Sequence, residues 1–523
     1  MNFNLAAPFD RSAVDHSDRL AIVDARQALT YAQASGYARA IAAALGPVGR
    51  PGARIAILGT RSVEACLAVL GTAWTGAAYV PLNMKLPEAR LIALLQASQF
   101  DALICDAAGE ARLTNALMEA APRVLLADRN GRPTVRAGDG RLGPPAEGGP
   151  PTQINSGDLG YIEYTSGTTG APKGVMITAG SVAAYIDSMR REYQLTPQDR
   201  VAETTDLSFD LSVSNMFLTW NAGAALYILD AAAMFTPVKF VRNHALTVWF
   251  SVPSVVPRLQ KTKTLTPGAM PTLRLTFFAG EPLPVAAAQA WAHAAPNSLV
   301  DNLYGPTEAT VVCLRQRLEM PPRITPERGI VAIGRPHHGA SVAILDEHLR
   351  RLPPGEKGEI ALAGPQLSAG YYGRPDLTAA RFPIIDGERW YLTGDFGVED
   401  EDGVHHHLGR IDNQVKVRGY RVELEEIEEH LRRLGQTNNA AAVAWPIEHG
   451  SASGIVGFVS DAATPPERIV EDLRQALPSY MVPKRIVELA AMPLNDSGKI
   501  DRKALIAMLE AEPGLNEPDL GFL

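Results

Sequence analysis

Tyr164-Thr165-Ser166-Gly167-Thr168-Thr169-Gly170-Ala171-Pro172-Lys173-Gly174 packs three glycines, four Ser/Thr hydroxyls and one lysine into eleven positions. It follows Leu159-Gly160-Tyr161-Ile162-Glu163, which reads as a short strand. Glycine lets the backbone take positive φ and turn several N–H groups toward one point. Such a nest, with hydroxyl donors and a lysine, suits the oxygens of a polyphosphate. The spacing is not the Walker form, which needs Gly-Lys-Ser/Thr after four free positions. A flexible surface loop is the plain alternative. The paired threonines and the terminal Lys-Gly, placed directly after a strand, argue against it.

The chain has 523 residues, enough for several domains. Hydrophobic residues make up 46% and charged residues 20%, so a large core is expected and general disorder is excluded. The net charge of −8 argues against a nucleic-acid binder, which needs a basic face. Cys66, Cys105 and Cys313 are scattered and lack metal spacing, so they read as reduced core thiols. No apolar run reaches a membrane span, and Met1-Asn2-Phe3-Asn4-Leu5 does not open a secretion signal. A cytoplasmic enzyme without membrane or nucleic-acid partners is the expectation.

Strand-like and helix-like segments alternate through the first 400 residues, which predicts α/β architecture with mostly parallel sheets. Arg54 to Gly59, Asp101 to Cys105, Leu226 to Leu229 and Leu273 to Phe278 read as strands. Ser62 to Trp74 reads as a helix capped by Ser62. Gly138 to Gly157 is rich in glycine and proline and reads as an exposed loop. After about residue 410 the texture changes. Val422 to Leu434 and Pro465 to Leu477 read as helices, and Ala440 to Trp445, Gly454 to Ser460 and Arg485 to Leu489 as strands. That pattern predicts a small α+β domain, followed by a loose tail from Glu512 to Leu523.

Four more clusters carry candidate chemistry. Asp301-Asn302-Leu303-Tyr304-Gly305-Pro306-Thr307-Glu308-Ala309-Thr310 ends a strand in a Gly-Pro turn, where sites of open α/β sheets lie. Tyr304 would stack on a purine, and Glu308 suits Mg²⁺. The bland alternative is a turn with a packed tyrosine. Trp390-Tyr391-Leu392-Thr393-Gly394-Asp395 places a carboxylate after a tight turn, as a ribose diol requires, or is an ordinary turn aspartate. Gly409 to Arg421 is charged and reads equally as a solvated face. Pro493-Leu494-Asn495-Asp496-Ser497-Gly498-Lys499 sets a lysine after a turn signal; taken alone it speaks only for solubility.

In this order and spacing the five clusters resemble the adenylate-forming superfamily of acyl-CoA synthetases, luciferases and peptide-synthetase adenylation domains. The detail is most similar to free-standing amino-acid adenylation enzymes such as D-alanine– or prolyl–carrier protein ligases. The resemblance runs from Leu29-Thr30-Tyr31 to Leu505 and includes Gly76 to Asn83. It implies a large multi-subdomain N-terminal domain over 1–411, a small mobile C-terminal domain over 412–508, and a tail over 509–523. It also implies two half-reactions. A carboxylate attacks the α-phosphate of ATP to give acyl-AMP and pyrophosphate; a thiol then takes the acyl group and releases AMP.

The resemblance further implies residue roles. Thr165, Ser166, Gly167, Thr168, Thr169, Gly170 and Lys173 would hold the β- and γ-phosphates. Tyr304 would pack on adenine, Asp395 and Arg410 would bind the ribose, Thr307 the α-phosphate and Glu308 the Mg²⁺. Lys499 would bridge the substrate carboxylate and the α-phosphate, and Asp412 would be the hinge. Asp210 would pair with the substrate ammonium, or else serve as a cap. Leu211, Ser214, Phe250, Phe277, Ala279, Leu303, Val311 and Val312 would line the side-chain pocket. None is charged, so a small apolar amino acid is expected, proline first and alanine next. Where many relatives carry a histidine after Val175 to Thr178, this chain has Ala179. Eighteen residues follow Leu505, so the acceptor is expected to be the phosphopantetheine thiol of a separate carrier protein. An acyl- or aryl-CoA ligase is the rival reading, and a non-catalytic binding protein of the same fold a more distant one. Asp210 argues against the first, since a substrate without an amine would leave that carboxylate unpaired.

Overall fold

The computed structural model describes residues 2–121, 124–127, 149–166, 172–448, 451–495 and 500–511. The chain divides into two compact units. One comprises 1–84, 91–164 and 174–409; the other comprises 85–90, 165–173 and 410–523. The expected loop over 138–148 and the expected tail from 512 onward lie outside the described residues.

Alternating apolar strands and helices build the first unit, as the sequence pattern requires. Among the described residues, nine strands form one sheet. In spatial order its central members are Leu299–Tyr304, Leu275–Phe278, Val248–Ser251, Arg200–Glu203, Ala225–Ile228 and Leu20–Val23, all parallel. Leu314–Arg317 and Ala28–Thr30 pair antiparallel on either side of them. A second sheet has Arg54–Leu58 at its centre, with Ala78–Leu82 and Ala102–Cys105 parallel to it, and carries Leu159–Thr165 beside Ala78–Leu82. Arg54–Leu58, Ala78–Leu82 and Ala102–Cys105 are apolar runs buried along nearly their whole length, as strands inside an α/β layer are. The helix Val63–Trp74 begins where expected: Ser62 Oγ accepts the Ala65 N–H at 3.1 Å, and Glu64 lies in the first turn, favourable to the helix dipole. A smaller antiparallel sheet joins Ser341–Leu345, Lys357–Ala363 and Glu388–Glu399. The three cysteines are buried free thiols.

Two readings need correction. Val422 is not helical: Tyr420–Glu423 is a strand paired with Gln414–Val417, and the helix is Leu424–Gly435. Asp395 does not follow a tight turn. It lies within the strand Glu388–Glu399, where Glu359 faces Phe396 and Ala361 faces Leu392, so three residues oppose one. Gly394 makes this bulge at φ +73, and its N–H donates to the Glu359 carboxylate at 2.7 Å.

In the second unit, Asn439–Ala444, Ile455–Ser460 and Arg485–Leu489 form a three-stranded sheet. Ile427, Leu431, Ile469 and Leu473, on the helices Leu424–Gly435 and Pro466–Ala476, share a core with Ala440, Ala442 and Val459 of that sheet. Among the described residues no helix is long and apolar enough to cross a membrane.

The strand that ends at Tyr304 is anchored by a buried carboxylate. Asp301 is 0% exposed and accepts from Arg317 Nε and from Arg317 Nη2 at 3.1 Å, across the antiparallel register Asp301–Arg317. The Tyr193 hydroxyl donates to it at 2.7 Å. Removing the main cation leaves a buried charge poorly compensated, so Arg317→Met is expected to cost about 3 kcal/mol. Thermal unfolding would register this as a clear drop in Tm. An unchanged Tm would mean that Arg315 and Tyr193 suffice.

Candidate active site

Tyr304 ends its strand, and Gly305 follows because nothing larger fits. A Cβ there would meet the Val312 Cα at 2.5 Å and the Val311 carbonyl at 2.8 Å. Thr307–Ala309 then forms a single 3-10 turn. Thr310 and Val311 take φ +56 and +68, a left-handed conformation that β-branched residues adopt only under strain, of order 1–3 kcal/mol each. Gln366 holds them there. Its carbonyl accepts from Thr310 Oγ1 at 2.5 Å, and its side-chain amide donates to the Val312 carbonyl at 3.0 Å. Strain of this kind concentrates at functional sites.

Glu308 sits on that turn, fully buried. Its Oε1 accepts from the Tyr371 hydroxyl at 2.8 Å, and its backbone carbonyl accepts the Ser368 N–H at 2.8 Å. Tyr304 donates its hydroxyl to Asp395, and burial together with the Asp395 charge pushes the Tyr304 phenol well above its usual range. His407 Nε2 stands 3.4 Å from the other Asp395 oxygen, with its ring 6.1 Å from the Tyr304 ring. Arg328 donates to the His407 carbonyl at 3.0 Å. The two residues expected to meet adenine and ribose are thus joined, and a histidine and an arginine that no motif announced stand beside them.

Of the expected pocket positions, Leu211, Phe250, Phe277, Ala279, Leu303, Val311 and Val312 are all buried in the main core of the first unit, where Phe250 meets Phe277 edge to face at 5.6 Å. Ser214 is buried and accepts from the Tyr185 hydroxyl at 2.7 Å. Asp210, 7% exposed, stands immediately before the helix Leu211–Asn221, but its side chain makes no capping bond. The cap reading of Asp210 therefore does not describe what it does.

Of the glycine-rich loop, Gly167, Thr168, Thr169 and Gly170 lie outside the described residues, as does Lys499. Thr165 Oγ1 is buried with no hydrogen-bond partner among the described residues, which fits an added acceptor such as a phosphate oxygen. Within the second unit, Ser166 Oγ donates to the Arg421 carbonyl at 2.8 Å, and Lys173 Nζ lies 3.5 Å from the Glu423 carboxylate. Arg410 makes a two-pronged pair with Asp412, at 2.8 and 2.7 Å. Ala179, where many relatives were expected to carry histidine, is a buried first residue of the helix Ala179–Tyr193.

Residues 9–372 match the family model of the AMP-binding enzymes, and 426–499 match that of the AMP-binding enzyme C-terminal domain. Surfactin synthase subunit 2 of Bacillus subtilis is 33% identical over 510 residues, which cover 95% of this chain and 13% of that protein. Enterobactin synthase component F of Escherichia coli is 33% identical over 539 residues, 99% of this chain and 40% of its own length. The chain thus spans only a fraction of these relatives. Among solved structures, the Vibrio cholerae adenylation domain AlmE, in complex with glycyl-adenosine-5'-phosphate, superposes with a TM-score of 0.88 at 32% identity, covering 98% of both chains. The o-succinylbenzoate CoA synthetase of Bacillus subtilis shares the fold at 21% identity and a TM-score of 0.82, covering 96% of this chain and 98% of that one.

Proposed function

The chain belongs to the AMP-binding enzymes, and on that premise we propose that it activates a small amino acid with ATP as the aminoacyl-AMP and passes it to the phosphopantetheine thiol of a carrier protein. The observation that carries this reading is Asp210: a buried carboxylate next to the apolar core residue Leu211, at the head of a helix its side chain does not cap. A carboxylate in such surroundings favours a charged partner, and the α-ammonium of an amino acid supplies one. The apolar lining, narrowed by Phe250 and Phe277, favours a short side chain, proline first and alanine next.

The remaining groups divide the work as follows. Tyr304 flanks the adenine, and Asp395 takes the ribose hydroxyls together with Arg410. Thr165, Ser166, Gly167, Thr168, Thr169, Gly170 and Lys173 grip the β- and γ-phosphates. Thr307 holds the α-phosphate. Glu308 would hold Mg²⁺, an oxygen-seeking cation that neutralises phosphate charge. Lys499 spans substrate carboxylate and α-phosphate, offsetting the repulsion of two anions and the charge that develops on phosphorus. Transfer is tested directly by mass spectrometry of a phosphopantetheinylated carrier protein incubated with enzyme, ATP and amino acid. An aminoacyl thioester on the carrier is the expected product; a CoA thioester formed in its place would contradict the reading.

The two half-reactions call for a hinge, and Asp412 is its proposed seat. The first unit ends at Gly409, whose φ of +131 is open to glycine alone, and the Arg410–Asp412 pair follows at once. A few residues at an element end commonly absorb such a change. Asp412→Pro, which fixes φ, is expected to slow thioester formation at least about tenfold more than pyrophosphate exchange. Equal losses in both steps would remove the hinge from Asp412.

A further inference from the structure

Glu163 is the one acid in the strand Leu159–Thr165, which leads into the glycine-rich loop. It is 2% exposed, and neither carboxylate oxygen meets a hydrogen-bond partner among the described residues. Tyr161 lies two positions earlier and therefore on the same face of the strand. Tyr79 stands in register with Tyr161 on the parallel strand Ala78–Leu82, and their rings stack at 5.4 Å. Both hydroxyls are buried and likewise have no partner among the described residues.

The helix Leu211–Asn221 meets this pair, its Phe217 ring 6.4 Å from that of Tyr79, and Ser214 and Asp210, three and seven positions before Phe217, fall in line with the same helical face. The Asp210 charge bears on Glu163, Tyr79 and Tyr161 alike. Tyr185 extends the cluster to Ser214, to which it donates. Two positions of the expected substrate pocket, Asp210 and Ser214, therefore border a group of four buried oxygens without a hydrogen-bond partner among the described residues.

Buried polar atoms are nearly always paired, and an unpaired carboxyl lowers the stability of the fold that holds it. Burial, reinforced by the Asp210 charge, pushes the Glu163 carboxyl well above its usual range. The guest that satisfies the Glu163 carboxyl and two adjustable hydroxyls, next to the Asp210 charge, is a compact cation with several N–H donors. A primary or secondary ammonium is such a group.

The geometry points to Glu163 as a second carboxyl of the amine site, which with Asp210 and the Tyr79 and Tyr161 hydroxyls recognises the ammonium of an amino or imino acid. The assignment rests on the amine-recognition reading of Asp210 and deepens it. The site becomes a two-carboxyl one, and its demand for an amine becomes the main ground on which acids without one are refused.

The test measures pyrophosphate exchange with L-proline and L-alanine against their amine-free counterparts, cyclopentanecarboxylate and propionate, in the wild type and in Glu163→Leu, Glu163→Gln and Asp210→Ala. Glu163→Leu is expected to raise KM for the amino acids about tenfold or more, to leave KM for ATP within about twofold, and to narrow the preference for the amine-bearing acid. Glu163→Gln keeps hydrogen bonding and is expected to recover part of the loss. The unliganded Glu163→Leu protein is expected to melt higher than the wild type, since a leucine there needs no partner. If Glu163→Leu keeps the wild-type KM for both amino acids while Asp210→Ala loses them, Glu163 has no part in amine recognition and the proposal falls alone. If Asp210→Ala also keeps the wild-type KM, the amine site itself is misplaced and both readings fall together.

Discussion

Lys499→Ala is expected to lower amino-acid-dependent pyrophosphate exchange by about 10²–10³ while leaving the fold and ATP affinity near wild type. The reasoning is electrostatic. Adenylate formation brings a carboxylate toward an α-phosphate that is itself negative, and the charge on phosphorus grows as the new bond forms. A positioned ammonium offsets the repulsion at the start and gains strength toward the transition state, which is the kind of contact that raises kcat rather than ground-state binding. On the proposed roles, ATP would keep its other holds at Tyr304, Asp395, Thr307 and the glycine-rich loop. The loss should therefore fall on kcat, with KM for ATP shifted little. Transfer from preformed aminoacyl-AMP to the carrier should survive, because that step needs no cation between two anions. Undiminished exchange in the variant would take the catalytic role from Lys499.

Asp210→Ala is expected to raise KM for the amino acid about 10²-fold or more, with ATP binding unchanged. In the proposed role, a carboxylate that is 7% exposed would meet an ammonium in surroundings where charge pairs are strong and an unpaired ammonium is costly. The truncated pocket would leave the incoming charge with only part of its partners. The contrast with Lys499→Ala is a diagnostic in itself, since one loss lies in kcat and the other in KM. Titration of exchange rate against amino-acid concentration separates them. An unchanged KM in Asp210→Ala would return the acyl- or aryl-CoA ligase reading to first place.

Much of this arrangement was legible in the chain because it is local. Ser62 caps its helix because a hydroxyl three residues ahead of an amide reaches it whatever the fold does. Arg54–Leu58 and Ala102–Cys105 are strands because short apolar runs between turn residues bury both faces. Thr393-Gly394-Asp395 has the residue chemistry of a turn, and only pairing on both sides of Gly394 makes the stretch a bulge that carries Asp395 within a strand. Val422 reads with the neighbouring helix because its strand, Tyr420–Glu423, is too short to display its own alternation.

The network around Asp395 was illegible for another reason. His407 and Arg328 are separated by 79 positions and meet only through folding. Tyr371 reaches Glu308 across 63. Glu163 stood in plain view as an acid in an apolar strand. Its meaning depends on the partners it lacks among the described residues, and no spacing encodes those.

Pyrophosphate exchange measured across a panel of amino acids, fatty acids and aryl acids, with the pure protein and ATP–Mg²⁺, tests the central claim most directly. Exchange driven by small amino acids, led by proline or alanine and absent with every acid that lacks an amine, is the predicted result. Exchange driven by a fatty or aryl acid, with amino acids inert, would contradict it.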